Sequence, residues 1–179
     1  MKRTIGFCCI VILIYGSQLG AQAPGGFPGQ MRVDELFARR KPDLLYVGLY
    51  LVPPPSSTAA SWPGANSSDQ GGTEMVVVAA TDHSTIGHKV SCAEMHVLTT
   101  DIPVLELNGD NGPKINGTVI GSTYLATFHD RRGNSIGLID IGMKFTTGEE
   151  SEAAKFARSV QQELEGEFDS KMTFFQHAQ

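Results

Sequence analysis

TVIGSTYLATFHDRRGNSIGLIDIGMKF, residues 118–145, holds two β-rich runs around one polar turn. The runs are residues 118–128 and 135–145, and His129-Asp130-Arg131-Arg132-Gly133-Asn134 joins them. Apolar runs on either side of a short Asp/Gly/Asn turn predict an antiparallel hairpin. Gly133 suits the positive φ that ends such a turn. Side chains alternate across a strand, so Ile136, Leu138, Asp140 and Gly142 share one face and Ile139, Ile141, Met143 and Phe145 the other. In the partner strand Thr123, Leu125, Thr127 and His129 alternate with Tyr124, Ala126 and Phe128.

Downstream, Thr147-Gly148-Glu149-Glu150 has the spacing of a capping box, with Thr147 as N-cap. The helix it predicts carries Ala153, Ala157, Val160, Leu164 and Phe168 along one face. Upstream, residues 44–52 (LLYVGLYLV) are almost continuously apolar and read as a central strand, with Tyr46 and Tyr50 on the same face as Leu44 and Val52. A helix over residues 31–41 precedes it and stops at Pro42. Residues 74–80 read as a second strand, 82–89 as a turn and 91–100 as a short helix. Residues 101–117 hold weak strand signals and a turn cluster at 108–113. That order predicts an α+β domain whose antiparallel sheet is flanked by helices.

The remaining segments bound the class of protein. Residues 1–23 read as a secretory signal: Lys2 and Arg3, an apolar run over 5–15, and Ala21-Gln22-Ala23 for cleavage. Two of the 14 Lys/Arg and none of the 19 Asp/Glu lie there, so its removal takes the net charge from −5 to −7. An acidic chain without a Lys/Arg cluster is a poor nucleic-acid binder. The apolar run is too short to span a bilayer, so no membrane span is expected after cleavage. The expected location is periplasmic or secreted. Of the three cysteines only Cys92 would remain, which excludes a disulfide framework. The expected organisation is signal peptide 1–23, flexible leader 24–30, domain 31–170 and C-terminal tail 171–179. Residues 53–73, rich in Pro, Ser, Gly and Asn, form a long loop inside the domain: a mobile insertion, or a lid over a site with Trp62 as its contact.

Two segments carry a family resemblance. VVVAATDHSTIG (76–87) runs from a strand into an Ile-Gly turn, and YLATFHDRRGNSIGLIDI (124–141) gives strand, Asp-x-x-Gly turn and strand in order. Both resemble pieces of the Cache, or PDC, extracytoplasmic sensor domain, a PAS-like fold, and the helix over 149–168 fits as its closing element. The resemblance covers residues 31–170 and implies small-molecule sensing. The Tyr, Arg, Trp-Tyr and Asp pattern of amino-acid-binding Cache domains is missing, because Trp62 lies in the loop and no Arg precedes a Trp-Tyr pair. An amino-acid ligand is therefore not implied. Members of that family are mostly receptors, whereas this chain ends soon after its last helix and reads as a solo exported module.

Candidate chemistry is sparse. No Gly-x-Ser-x-Gly elbow, His-Glu-x-x-His or Gly-rich phosphate loop is present, and the expectation is a protein that is not an enzyme and needs no cofactor. His88, Cys92 and His96 have i, i+4, i+8 spacing, but ends about 12 Å apart on a helix cannot share one ion, so no metal site is assigned. The stronger candidates lie on the sheet. Asp140 is a carboxylate between Ile139 and Ile141, and a charge in that setting faces either solvent or a cavity with a partner. Tyr46, Tyr124, His129 and Asp140 are the expected ligand-binding residues. In this reading Asp140 orients a cationic or hydroxyl-bearing group, and the tyrosines supply apolar walls with polar tips. The competing reading is a ligand-free interaction module that docks on an envelope receptor.

Overall fold

A computed structural model describes residues 27–53 and 74–175. The signal peptide 1–23, residues 24–26 of the leader, the loop with Trp62 from residue 54 to 73, and residues 176–179 lie outside the described residues.

The described chain forms α1 (Pro28–Arg40), β1 (Leu44–Leu51), β2 (Val76–Ala80), α2 (Cys92–Thr100), β3 (Val104–Leu107), β4 (Lys114–Ile115), β5 (Thr118–Val119), β6 (Ser122–His129), β7 (Ser135–Met143), α3 (Glu150–Glu165) and α4 (Lys171–Phe175). Five strands make one antiparallel sheet in the order β2-β1-β7-β6-β3. Helices flank it, as the α+β reading expects. Among the described residues no helix is long and apolar enough to cross a membrane.

The hairpin of β6 and β7 forms as the sequence predicts, and Asp130 fixes its turn. One carboxylate oxygen, Oδ1, accepts the backbone N–H groups of Arg132 and Asn134, both at 2.9 Å, while Gly133 takes φ 82°. The hydrogen bond from the Asn134 side chain holds the Asp130 carboxyl below its ordinary range. The 118–128 run is broken, however. Gly121 lies so close to the Phe145 carbonyl that a Cβ would stand 2.3 Å from it, and the chain bends there between β5 and β6. β4 and β5 form their own small hairpin around Asn116 and Gly117, both at positive φ, as a two-residue type I′ turn requires.

One face of the sheet is covered by α1, α3 and α4. Leu49, Leu51, Phe128, Ile139, Ile141 and Met143 point into that layer and meet Val33 and Leu36 of α1 and Ala157, Val160 and Leu164 of α3. Arg39 and Arg40 of α1 both pair with Glu163 of α3 and hold the two helices side by side. α2 lies on the opposite face across β6 and β7.

Several expected boundaries move. α1 opens at Pro28, inside the segment read as a leader, because two residues there are tied down. Gln30 exchanges both amide bonds with the Ala80 peptide at the end of β2, at 3.0 and 3.1 Å. Gly29 lets the Phe174 ring approach so closely that a Cβ would sit 2.3 Å from it. The same contact orders α4 in the expected tail, with Phe174 fully buried. Thr147 does not cap α3. Glu149 occupies the N-cap without a side-chain cap bond, and the Glu149 and Glu150 carboxylates instead accept the N–H groups of Thr146 and Gly148, both at 3.0 Å. A true capping box stands at α2, between Ser91 and Glu94.

Candidate functional site

The polar chemistry of the molecule gathers on the α2 face. Three strands define its floor. β1 contributes Tyr46, Gly48 and Tyr50, and β7 contributes Gly142, Asp140 and Leu138 directly opposite them. On β6, Leu125 faces Asp140 and Thr127 faces Leu138. Tyr46, Tyr50, Leu138, Val77 and Ile120 form an apolar cluster here with Val97 of α2. A bulge between Leu44 and Tyr46 sets this arrangement. It sends Leu44 to the helix-covered core while Leu45 and Tyr46 both turn to the α2 face, so Leu44 does not share a face with Tyr46 as strict alternation predicts.

Gly48 is required for the packing of Tyr46. A Cβ on Gly48 would meet the Tyr46 hydroxyl oxygen at 2.4 Å, so the phenol lies back along its own strand, over Gly48 and across from Asp140. The hydroxyl reaches Thr85 Oγ1 at 3.3 Å. Thr85 already donates its single proton to the Asp82 carbonyl at 2.8 Å, so Tyr46 is the donor. Burial raises the Tyr46 phenol above its ordinary range. Burial raises Tyr50 as well, and a hydrogen bond to Glu94 acts in the same direction. The Glu94 carboxylate also accepts the Ser91 N–H, so one side chain both caps α2 and holds that helix to β1.

Asp140 sits in the middle. Its carboxylate is deeply buried, although the residue as a whole keeps part of its surface exposed. Among the described residues Oδ1 is sealed from solvent and has no hydrogen-bond partner. Burial pushes its pKa up to about 7, and the Glu94 carboxylate adds to the rise. Thr127 Oγ1, on the same face, is likewise buried without a partner. Buried polar groups are nearly always satisfied, and this face holds two unpartnered ones against one, Ser122 Oγ, on the helix-covered face.

The four residues chosen from the sequence divide. Tyr46 and Asp140 come together. Tyr124 does not join them, since it points into the helix-covered core and donates to Gln161 Oε1 at 3.2 Å. Four residues of strand separate His129 from Leu125, the neighbour of Asp140, or about 13 Å. Its Nδ1 lies 3.2 Å from Glu165 Oε1 at the far end of the hairpin. Tyr50, Glu94 and Thr127 take their places. Tyr50 was legible from its i, i+4 relation to Tyr46 on one strand, and Glu94 from the Ser91-x-x-Glu94 capping pattern. The stripe of His88, Cys92 and His96 dissolves because α2 begins at Cys92 and His88 precedes it. Cys92 itself is exposed.

No family model and no curated protein matches the sequence. The fold is similar to the GAF domain of a two-component sensor histidine kinase from Bacillus halodurans, at TM-score 0.47 and 8% identity over 76% of this chain and 90% of that one. It is similar to a GAF sensor protein from Burkholderia vietnamiensis, at TM-score 0.43 and 12% identity over 80% and 84%. A third neighbour is a type II free methionine-R-sulfoxide reductase from Thermoplasma acidophilum, at TM-score 0.37 and 19% identity over 79% and 92%. Two expectations change accordingly. These neighbours include GAF domains, a PAS-like fold, rather than Cache domains. One neighbour is by name a reductase, so the expectation that the chain is not an enzyme is withdrawn. Catalytic groups converge from distant segments of a chain, so missing linear motifs exclude only the mechanisms those motifs encode. The described protein is an α+β domain built on a five-stranded antiparallel sheet flanked by helices.

Proposed function

We propose that this chain is an exported small-molecule-binding domain of the sensor type, with its ligand on the α2 face among Tyr46, Tyr50 and Asp140. The observation that carries the reading is Asp140 Oδ1, a deeply buried acceptor with no partner among the described residues. An unmet carboxylate oxygen costs free energy, and a ligand donor supplies what the fold withholds. The phenols beside it give an apolar wall with polar tips, a common lining for small-molecule sites. The sensing role implied by the Cache resemblance of residues 76–87 and 124–141 and the signal-like run at 5–15 support placing it outside the cytoplasm.

Ligand binding to the folded state raises its melting temperature by mass action. A metabolite panel with metals and haem is expected to contain compounds that do so, and the shift is expected to vanish in Asp140→Asn. If nothing in the panel moves the wild type, the ligand reading fails. If a shift persists undiminished in Asp140→Asn, the site lies elsewhere.

A further inference from the structure

The charge around the site narrows the chemistry of what it accepts. Glu94 approaches from α2 and bonds Tyr50, and Asp82 approaches from the turn before α2, close enough to act on Tyr46. β1 presents Tyr46, Gly48 and Tyr50, while β6 presents Leu125 and Thr127. Among the described residues no Lys or Arg bonds Asp140 Oδ1, and the influences that set its protonation are burial and a second carboxylate. An anionic ligand would meet two carboxylates and no compensating cation. A neutral hydroxyl would satisfy one hydrogen bond and leave the charge of Asp140 unmet. A cation satisfies both, and the adjacent phenol rings add favourable interaction with positive charge.

Resting on the ligand-binding reading above, we infer that the α2-face site takes a small organic cation, an amine or quaternary ammonium, paired with Asp140 beside Tyr46 and Tyr50. The pairing needs Asp140 ionised, so binding releases a proton wherever the free protein holds one there. The groups electrostatically coupled to Asp140 are Glu94, Tyr46 and Tyr50, and Asp82 acts on Tyr46. Because burial lifts Asp140 to about 7, cation affinity rises as pH goes from 6 to 8, by up to about tenfold per pH unit below that value.

Titration calorimetry on the full chain tests this with four probes: butylammonium, tetramethylammonium, neutral 1-pentanol and anionic pentanoate. The cations are expected to bind at least about tenfold more tightly than pentanol, and pentanoate not to bind. Asp140→Asn, which preserves shape and removes the charge, is expected to weaken the cations by tenfold or more and leave pentanol unchanged. Buffers of different ionisation heat are expected to reveal proton release at pH 6 in the wild type and none in Asp140→Asn. If pentanol or pentanoate binds as well as the cations and depends on Asp140, the cation class is overturned while the binding site stands. If none of the four binds but a member of the metabolite panel shifts the melting temperature through Asp140, the cation class again falls alone. If neither probes nor panel bind, both readings fall.

Discussion

The two faces of the sheet solve opposite problems with the same strands. The face under α1, α3 and α4 is an apolar layer in which Phe128, Leu49 and Ile141 are wholly buried. Its polar exceptions are few: Tyr124 is bonded to Gln161, and Ser122 carries an unpartnered hydroxyl. The face under α2 places a carboxylate, two phenols and a threonine hydroxyl beside comparable apolar residues, with two of those polar atoms unmet. One face holds the fold together, and the other spends stability to hold chemistry in place. Cutting into each face therefore has opposite effects.

The largest expected effect is on the helix-covered face. Phe128 is fully buried and packs edge-on against Phe168 at 6.2 Å between ring centres. Phe128→Ala is expected to cost about 3–5 kcal/mol in chemical denaturation, from lost burial and an unfilled cavity. A cost below 1 kcal/mol would mean that this layer is not the core. On the other face, Asp140→Asn is expected to stabilise the protein at pH 8, by up to about 4 kcal/mol. The sign follows from linkage. Asp140 is raised to about 7 in the folded protein against about 3.9 unfolded, so below pH 4 it is protonated in both states and contributes nothing. Between pH 4 and 7 the unfolded chain loses this proton while the folded one keeps it, and stability falls as pH rises. The advantage of the variant is expected to grow across that window and level off above it. A pH-independent difference would show that Asp140 is not held protonated by the fold.

Two smaller changes sharpen the contrast. Gly48→Ala puts a methyl 2.4 Å from the Tyr46 hydroxyl oxygen, forces the ring to move and is expected to cost about 1–3 kcal/mol. An unaffected melting curve would show that Tyr46 does not need to lie over Gly48. Ser91→Ala removes the N-cap of α2 and is expected to cost about 1 kcal/mol, with faster amide exchange confined to the first turn of that helix. Exchange spreading through β6 and β7 would show that α2 is part of the main core.

How much of this is legible in the sequence depends on how local the cause is. The hairpin of β6 and β7 can be read because alternation, Asp130 and Gly133 all lie within one stretch. α3 can be read from its stripe but not its cap, because Glu149 and Glu150 bend back to bond Thr146 and Gly148 and leave Thr147 without a capping role. The site was half legible. Asp140 stands out as a charge in an apolar strand, yet its pairing with Gly48 joins segments about ninety residues apart, and no local pattern encodes that register. The bulge at Leu44 and Tyr46 and the approach of Glu94 to Tyr50 are tertiary events for the same reason.

Gln30 also closes part of one edge of the sheet. A sheet edge with free peptide groups is a template for another strand. Along β2 that edge is taken: Gln30 bonds the Ala80 peptide, and residues 87 and 88 bond both groups of Val77 at 2.9 Å. An incoming strand would have to displace α1 and that segment before finding a partner on β2. Strand pairing on the β2 side of the sheet is thus obstructed, and Gln30→Ala is expected to free the Ala80 peptide there for an intermolecular strand.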